Sequence, residues 1–334
     1  PRPIQQTNFN DDVAIAEGVA FHYRHPRPDD VQLITDIMNI SRRETPYHRD
    51  TTVAEMNSEA FDDPDFSPEG AWIVFDGDEG VAYCDSVVEK GRLEAGRDDG
   101  WIGVQVVPEK RGLGIEDDLV DRAVAYLRKR GVQKAIARAE QAEPWKQDLF
   151  VRSGFKSVRR FYRMVCKGTG PLPRTALPPA LTISHRMLRE HSDDDVAEFA
   201  EVINDTFAEH FDFAPEPVWR WVKWREACEE PWMVALAKSG ERNVAVCVTE
   251  DSTVFNAERG TRSGWINVLG VRKDLRGKGI GTVMLLDGMA WLRGLGHDTI
   301  HIGVDAENDT ALGLYRSVGF EVENESQVYH LALR

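Results

Sequence analysis

The sequence predicts a mixed α/β fold present twice in tandem. Three observations carry that prediction: a repeat at one constant offset, alternating strand-like and helix-like segments, and ample core material. Arg111-Gly112-Leu113-Gly114-Ile115 returns as Arg276-Gly277-Lys278-Gly279-Ile280, and 276 − 111 is 165. Gly154-Phe155 returns as Gly319-Phe320, and Asp29-Asp30-Val31 as Asp194-Asp195-Val196, both at the same offset. Ala125, Leu127, Arg128 and Gly131 match Ala290, Leu292, Arg293 and Gly296. One offset across separate blocks marks a duplicated unit. The chain has 334 residues, 42% of them hydrophobic and 29% charged, enough for two domains with their own cores.

The elements of the second copy follow in order. Leu181 to Met187 reads as a strand. Ser192-Asp193-Asp194-Asp195 caps a helix to about Glu209, with Val196, Phe199, Ala200, Ile203 and Phe207 on one face. Pro217 opens a short helix carrying Trp219, Trp221, Val222 and Trp224. Trp232–Ala237 and Asn243–Thr249 form a hairpin across Ser239-Gly240-Glu241, and Trp265–Val271 is a further strand. A glycine-rich loop leads into a helix from Thr282 to about Leu295, ended by Gly296. Thr299–Val304 is a strand, Thr310–Val318 a helix stopped by Gly319, and Val328–Leu333 the closing strand. Helices inserted between strands give the α/β (α+β) class.

The repeat predicts the domain limits: an N-terminal extension over 1–18, an N-terminal copy over 19–167, a linker over 168–180 and a C-terminal copy over 181–334. Gly168-Thr169-Gly170-Pro171-Leu172-Pro173 and Pro178-Pro179 supply the linker's composition, with the boundary near Leu177.

Composition narrows the partners. Lys+Arg is 41 and Asp+Glu is 56, a formal net charge of −15, which repels phosphate backbones and anionic membranes. Nucleic acid and membrane are therefore not expected as partners. No apolar run approaches the ~18 residues of a membrane span, and no secretory signal is visible. Cys84, Cys166, Cys228 and Cys247 form no CxxC pair, so no metal is expected and a reducing cytoplasm is. A monomer or homodimer is equally compatible.

The chemistry is expected at the second glycine-rich loop. It joins a strand to a helix, where glycines turn backbone N–H groups inward and the helix N-terminus adds positive potential. The spacing is neither that of the GxxxxGK[ST] loop nor GxGxxG. Arg272, Lys273, Arg276 and Lys278 make a basic island in an acidic chain, which fits a polyanionic ligand. Asn308 precedes the next helix, and Tyr315 follows two turns later.

V-x-x-x-x-R-G-K-G-I-G-T followed by N-D-T-A-L-G-L-Y-R-S-V-G-F, over about residues 265–320, resembles the acyl-CoA-binding and terminal-helix signatures of the GNAT acetyltransferase superfamily. The resemblance implies two tandem GNAT-like domains, each a mixed, splayed central β-sheet flanked by helices, with acetyl-CoA as co-substrate in the gap. It implies that the amides of Arg276, Gly277, Lys278, Gly279, Ile280, Gly281 and Thr282 hold the pyrophosphate. Leu269, Gly270 and Val271 would line the thioester arm, with the Val271 N–H on the thioester carbonyl. Asn308 would contact pantetheine, and Tyr315 would protonate the departing thiolate. Relatives place a carboxylate on the splayed strand; Trp265-Ile266-Asn267-Val268-Leu269-Gly270 has none. Glu250, Asp251, Glu258 and His301 are the candidates for the base, with Glu250 preferred.

Shifting each role back by 165 turns Gly281 into Glu116, Asn308 into Glu143 and Tyr315 into Phe150. Glu116, Asp117 and Asp118 then crowd the helix entry and repel pyrophosphate, so the first copy is expected to be degenerate. An intact second copy behind a decayed first one resembles the mycothiol synthase group of two-domain GNAT proteins, which carries a glutamate about where Trp265 stands. The expected reaction is acetyl transfer to a primary amine of a small molecule by direct attack. The alternatives are a non-catalytic acyl-CoA-binding module and a protein N-acetyltransferase. Trp219, Trp221 and Trp224 are candidates for lining the acceptor cleft.

Overall fold

The computed structural model describes residues 12–333 except 17, 18, 47, 49, 177 and 229. Its strands are β1 (Asp12–Ala16), β2 (Val19–Arg24), β3 (Ala71–Asp76), β4 (Glu79–Val87), β5 (Asp99–Val106), β6 (Lys134–Glu140), β7 (Lys156–Lys167), β8 (Leu181–Met187), β9 (Trp232–Ser239), β10 (Arg242–Asp251), β11 (Ser263–Val271), β12 (Thr299–Asp305) and β13 (Glu321–Ala332). The helices are α1 (Val31–Arg42), α2 (Val53–Glu59), α3 (Lys90–Glu94), α4 (Ile115–Lys129), α5 (Pro144–Arg152), α6 (Asp193–Phe207), α7 (Val218–Ala227), α8 (Thr253–Arg259), α9 (Ile280–Gly294) and α10 (Asp309–Ser317). The repeat is visible in these limits: α4 and α9 start 280 − 115 = 165 residues apart, and β7 and β13 start 321 − 156 = 165 apart.

All described strands join one sheet in the order β1-β2-β3-β4-β5-β6-β13-β7-β12-β11-β10-β9-β8. Most pairs are antiparallel; β5–β6 and β11–β12 are parallel. The two halves exchange their last strands. β13 pairs with β6 from Ser326↔Glu140 to Ala332↔Lys134, and β7 pairs with β12 from Thr299↔Lys167 to Asp305↔Phe161. β7 and β13 then pair with each other at the centre. The cores follow the exchange. Tyr329 and Leu333 pack among Leu119, Leu127 and Phe150, whereas Met164 and Cys166 pack among Met284, Ile300 and Phe320. Segments 19–167 and 181–334 therefore each end in a strand that completes the other half.

Each parallel ladder stops early. β11 and β12 pair only from Ser263↔Thr299 to Ile266↔Ile302, and β5 and β6 only from Asp99↔Lys134 to Ile102↔Ala137. Beyond those points the strands splay, and each half has a wedge-shaped opening in its sheet.

α6 begins under a Ser192 cap whose hydroxyl accepts from Asp195 N–H, and it buries Val196, Phe199, Ala200 and Ile203 as the pattern predicts. The closing strand is longer than the sequence predicts. It starts at Glu321, because the polar run Glu321–Gln327 pairs with β7, where register replaces hydrophobic patterning. Helix α8 lies between β10 and β11, where no element is expected from the sequence. The junction expected near residue 177 falls outside the described residues, as do 1–11, 17 and 18 of the expected extension. Residues 12–16 form β1, an edge strand on β2. Among the described residues, no helix is long and apolar enough to cross a membrane.

Candidate functional site

The C-terminal wedge opens into a cavity of about 790 Å³. One end is the loop from β11 to α9. Gly277 and Gly279 sit at φ 76° and 81°, a left-handed conformation that leaves the first amides of α9 facing outward. Gly281 has ordinary φ, and a Cβ there would meet Leu314 Cδ2 at 3.6 Å and Val271 Cγ2 at 3.7 Å. Of the loop residues expected to bind, Arg276, Gly277, Gly279, Gly281 and Thr282 line the cavity, and Lys278 and Ile280 do not. Ile280 is buried as the first residue of α9.

Leu269, Gly270 and Val271 form one wall. The Arg272 N–H donates to Val244 O on β10 at 3.0 Å. Alternation along the strand turns the Val271 N–H the other way, toward the gap where the parallel ladder has ended. A Cβ at Gly270 would stand 2.2 Å from Thr206 Oγ1, so glycine lets α6 lie against this wall.

Asn308 caps α10, its Oδ1 accepting from Ala311 N–H at 3.1 Å, and it lines the cavity. One face of Tyr315 lines the cavity; the remainder is buried beside Phe320, their ring centroids 6.0 Å apart. Burial raises the phenol's pKa well above its ordinary value, with the nearby Cys247 thiol adding to it.

The side chains of the expected basic island are already paired within the protein. Arg272 pairs with Glu201 at 2.7 Å and Asp205 at 2.8 Å, and Lys273 with Glu209 at 2.5 Å. Arg276 donates to Glu209 at 3.0 Å and to the carbonyls of Val271 and Thr206. Glu201 and Asp205 of α6, with Glu209 just beyond its end, neutralise these side chains, so the cradle's potential comes from its amides. Lys278 donates to Asp274 O at 3.3 Å.

The candidates for a base separate clearly. Glu250 accepts from Ser252 Oγ at 3.0 Å and from Asn267 Nδ2 at 2.9 Å. Asn267 lines the large cavity, whereas Glu250 lines a separate one of about 200 Å³ beside Trp224 and Trp232. Asp251 pairs with His297 at 2.8 Å, and Glu258 is exposed on α8. His301 is buried beneath Trp265, 4.9 Å between centroids, and 3.4 Å from Glu323. Burial, opposed by Glu323, lowers its pKa to about 4. Neither Asp251, Glu258 nor His301 lines the large cavity.

The three tryptophans do not line the large cavity, which corrects the expectation for them. Trp221 packs on Phe199, Trp224 on Trp232, and Trp219 is 39% exposed. The far wall comes instead from the N-terminal half and the exchanged strands: Arg138, Glu140, Phe161, Arg163 and Ser326. The sequence held one signal for them. Arg138 and Glu140 stand 165 residues before Gly303 and Asp305, which line the same gap.

The N-terminal wedge is lined differently. Glu116 Oε1 accepts from the Gly112 N–H at 2.8 Å, placing a carboxylate in its own glycine loop. Lys146 and Glu143, at the positions of Ala311 and Asn308, form a buried ion pair of 2.5 Å. Phe150 is fully buried where Tyr315 would stand. A cavity of about 370 Å³ remains. Among the described residues no group of His, Cys, Asp and Glu side chains is arranged to hold a metal ion.

Residues 196–320 match the model of the acetyltransferase (GNAT) family. A mycothiol acetyltransferase of Thermobifida fusca is 28% identical over 276 residues, 75% of this chain and 81% of that protein. One of Segniliparus rotundus is 29% identical over 250 residues, 73% of this chain and 88% of its own. A tandem GNAT protein from the clavulanic acid biosynthesis pathway shares the fold, with TM-score 0.72, 14% identity, and coverage of 94% of this chain and 99% of that one.

Proposed function

We propose, from the premise that residues 196–320 belong to the acetyltransferase (GNAT) family, that this N-acetyltransferase moves an acetyl group from acetyl-CoA to a primary amine of a small molecule. The observation that carries the reading is the open wedge: a ladder ended at Ile266 and Ile302, an amide-lined helix entry at one end and a buried tyrosine at its wall. The names of the relatives support a small-molecule acceptor.

The amides of Arg276 to Thr282 would grip the pyrophosphate, with Leu269, Gly270 and Asn308 along the pantetheine arm. The Val271 N–H would donate to the thioester carbonyl as its oxygen gains charge. The acceptor nitrogen forms a bond to the carbonyl carbon, and the carbon–sulfur bond breaks. Tyr315 would supply the proton to the leaving thiolate; its raised pKa keeps it protonated for that role. Glu250 would take the ammonium proton through a water beside Asn267, whose side-chain amide donates to the Glu250 carboxylate and orients it. Holding both reactants in line supplies much of the rate, so no covalent enzyme intermediate is needed. The four cysteines are buried as thiols, which supports a cytoplasmic setting; a monomer or homodimer is proposed. The repeat units 19–167 and 181–334 are proposed as a degenerate and a catalytic GNAT domain.

Titration with acetyl-CoA, followed by CoA-thiol release against a panel of amines, tests the reading. Saturable binding with turnover on a small amine is expected. Binding without turnover on any amine would replace it with a non-catalytic acyl-CoA module.

A further inference from the structure

We infer that the acceptor carries an anionic group, a carboxylate or a phosphate, held by Arg138 and Arg163 where the two cavities meet. The inference rests on the acetyltransferase reading and goes beyond it in naming the acceptor's charge.

The chain has a formal net charge of −15. The wall of the 370 Å³ cavity nonetheless gathers Arg42, Arg138, Lys146 and Arg163 against Glu140 and Glu143. Lys146 and Glu143 neutralise each other. Glu140 accepts from Asn324 Nδ2 at 2.7 Å and stands 3.8 Å from Arg163. Arg138 has no carboxylate within ion-pair distance among the described residues. Its Nε and Nη2 donate to one neutral acceptor, the Ser326 hydroxyl, at 3.1 and 2.6 Å. Phe161 lies under its guanidinium, 5.4 Å from the ring centroid, and Trp265 lies 5.9 Å from that of Arg163. Both forks are thus held by aromatic faces. Arg138 is exposed to the cleft, so its guanidinium stays open to a ligand while Ser326 and Phe161 hold it in place.

Position turns this charge into a specificity device. Arg138, Glu140 and Arg163 line both the large cavity and the smaller one. A molecule whose nitrogen stands at the open edge of β11 can therefore place its other end in the decayed wedge of the N-terminal half. The strand exchange builds the pair: β6 carries Arg138, β7 carries Arg163, and β13 lies between them with Ser326. A planar guanidinium fork suits carboxylate and phosphate oxygens alike.

The test needs no turnover. With CoA bound, N-acetylglucosamine 6-phosphate and N-acetylglucosamine are titrated as one pair, and N-acetyl-L-phenylalanine and its amide as the other. The anionic member of at least one pair is expected to bind about tenfold tighter, the worth of one charge-assisted hydrogen bond. The pair that shows the gap tells phosphate from carboxylate. In Arg138→Gln or Arg163→Gln the gap is expected to fall toward unity, and Arg138→Lys to restore part of it. Unchanged melting temperatures check that the variants fold, with Arg138→Met as the replacement if Arg138→Gln does not. No gap in either pair, or a gap that survives both variants, overturns the inference. A protein that fails to bind acetyl-CoA in a separate titration sinks the acetyltransferase reading instead.

Discussion

Introducing into the second copy the carboxylate that the first copy carries should close the cradle. In Gly281→Glu the new Cβ meets its neighbours at ordinary contact distances, 3.6 and 3.7 Å, and the backbone φ suits any residue. The side chain can then reach back to the Gly277 N–H as Glu116 reaches Gly112 at 2.8 Å. Two costs follow for pyrophosphate. A unit charge at roughly 5 Å, in an effective dielectric of about 20, repels by about 3 kcal/mol. Losing one amide donor to a charged acceptor costs about 1.5–3 kcal/mol more. Screening at the open mouth removes part of this, leaving about 3 kcal/mol, on the order of 100-fold in Kd. A carboxylate near a helix N-terminus favours the fold by roughly 0.3–1 kcal/mol, so the melting temperature should hold or rise. Calorimetric titration with acetyl-CoA reads the effect, and Gly281→Gln separates shape from charge, with a loss of about tenfold expected from the occupied amide alone. Binding of Gly281→Glu within threefold of the parent, at unchanged stability, would refute the amide cradle.

Four further outcomes are expected. Tyr315→Phe should lower kcat by about 10- to 100-fold and leave the Kd for acetyl-CoA within about twofold; because burial raises the phenol's pKa, the parent's pH–rate profile should show no tyrosine limb below pH ~10. Glu250→Gln should lower kcat by about 100-fold or more at constant acetyl-CoA affinity, and equal turnover would move the base elsewhere. His301 is held neutral, its pKa about 4 against about 6.5 unfolded. Its contribution is complete above pH ~6.5 and is lost as pH falls toward 4, because the unfolded chain takes up the proton first. Urea titrations should show up to about 3 kcal/mol of that loss, absent in His301→Gln. A protease site placed within 171–176 and cut should leave the two fragments co-eluting, because each core contains the other segment's last strand; separation without denaturant would contradict the shared sheet.

Much of the site was legible because the chemistry sits on local patterns. The glycines at 277 and 279, the cap at Asn308 and the tyrosine two turns beyond are close in sequence, and helix geometry keeps them close in space. The 165-residue offset likewise brought out Glu116, whose carboxylate occupies its own glycine loop. Three things were not legible. The pairing of Arg272, Lys273 and Arg276 with α6 and with Glu209 just beyond it depends on contacts across 64 to 71 residues, and no local pattern records it. The exchange of β7 and β13 is hidden because the two strands occupy equivalent places, so either pairing satisfies the same alternation. Arg138 and Arg163 come to one cleft only through that exchange, which sets β13 between their strands. The tryptophans of α7 misled for a simpler reason: aromatic side chains are as useful for packing helix on helix as for contacting a ligand.

The exchanged strands also set a timetable for synthesis. β6 ends at Glu140, and its lasting neighbour begins only at Glu321, about 180 residues later. At roughly 5–20 residues per second, a ribosome leaves that flank uncovered for about 10–35 s. During the wait β7 emerges, but its final partners are β12 and β13, so it does not cover that flank. Maturation of the amino-terminal half is thereby tied to synthesis of β13. A nascent chain stalled before β13 carries a bare sheet margin ready to pair with a neighbouring ribosome's product.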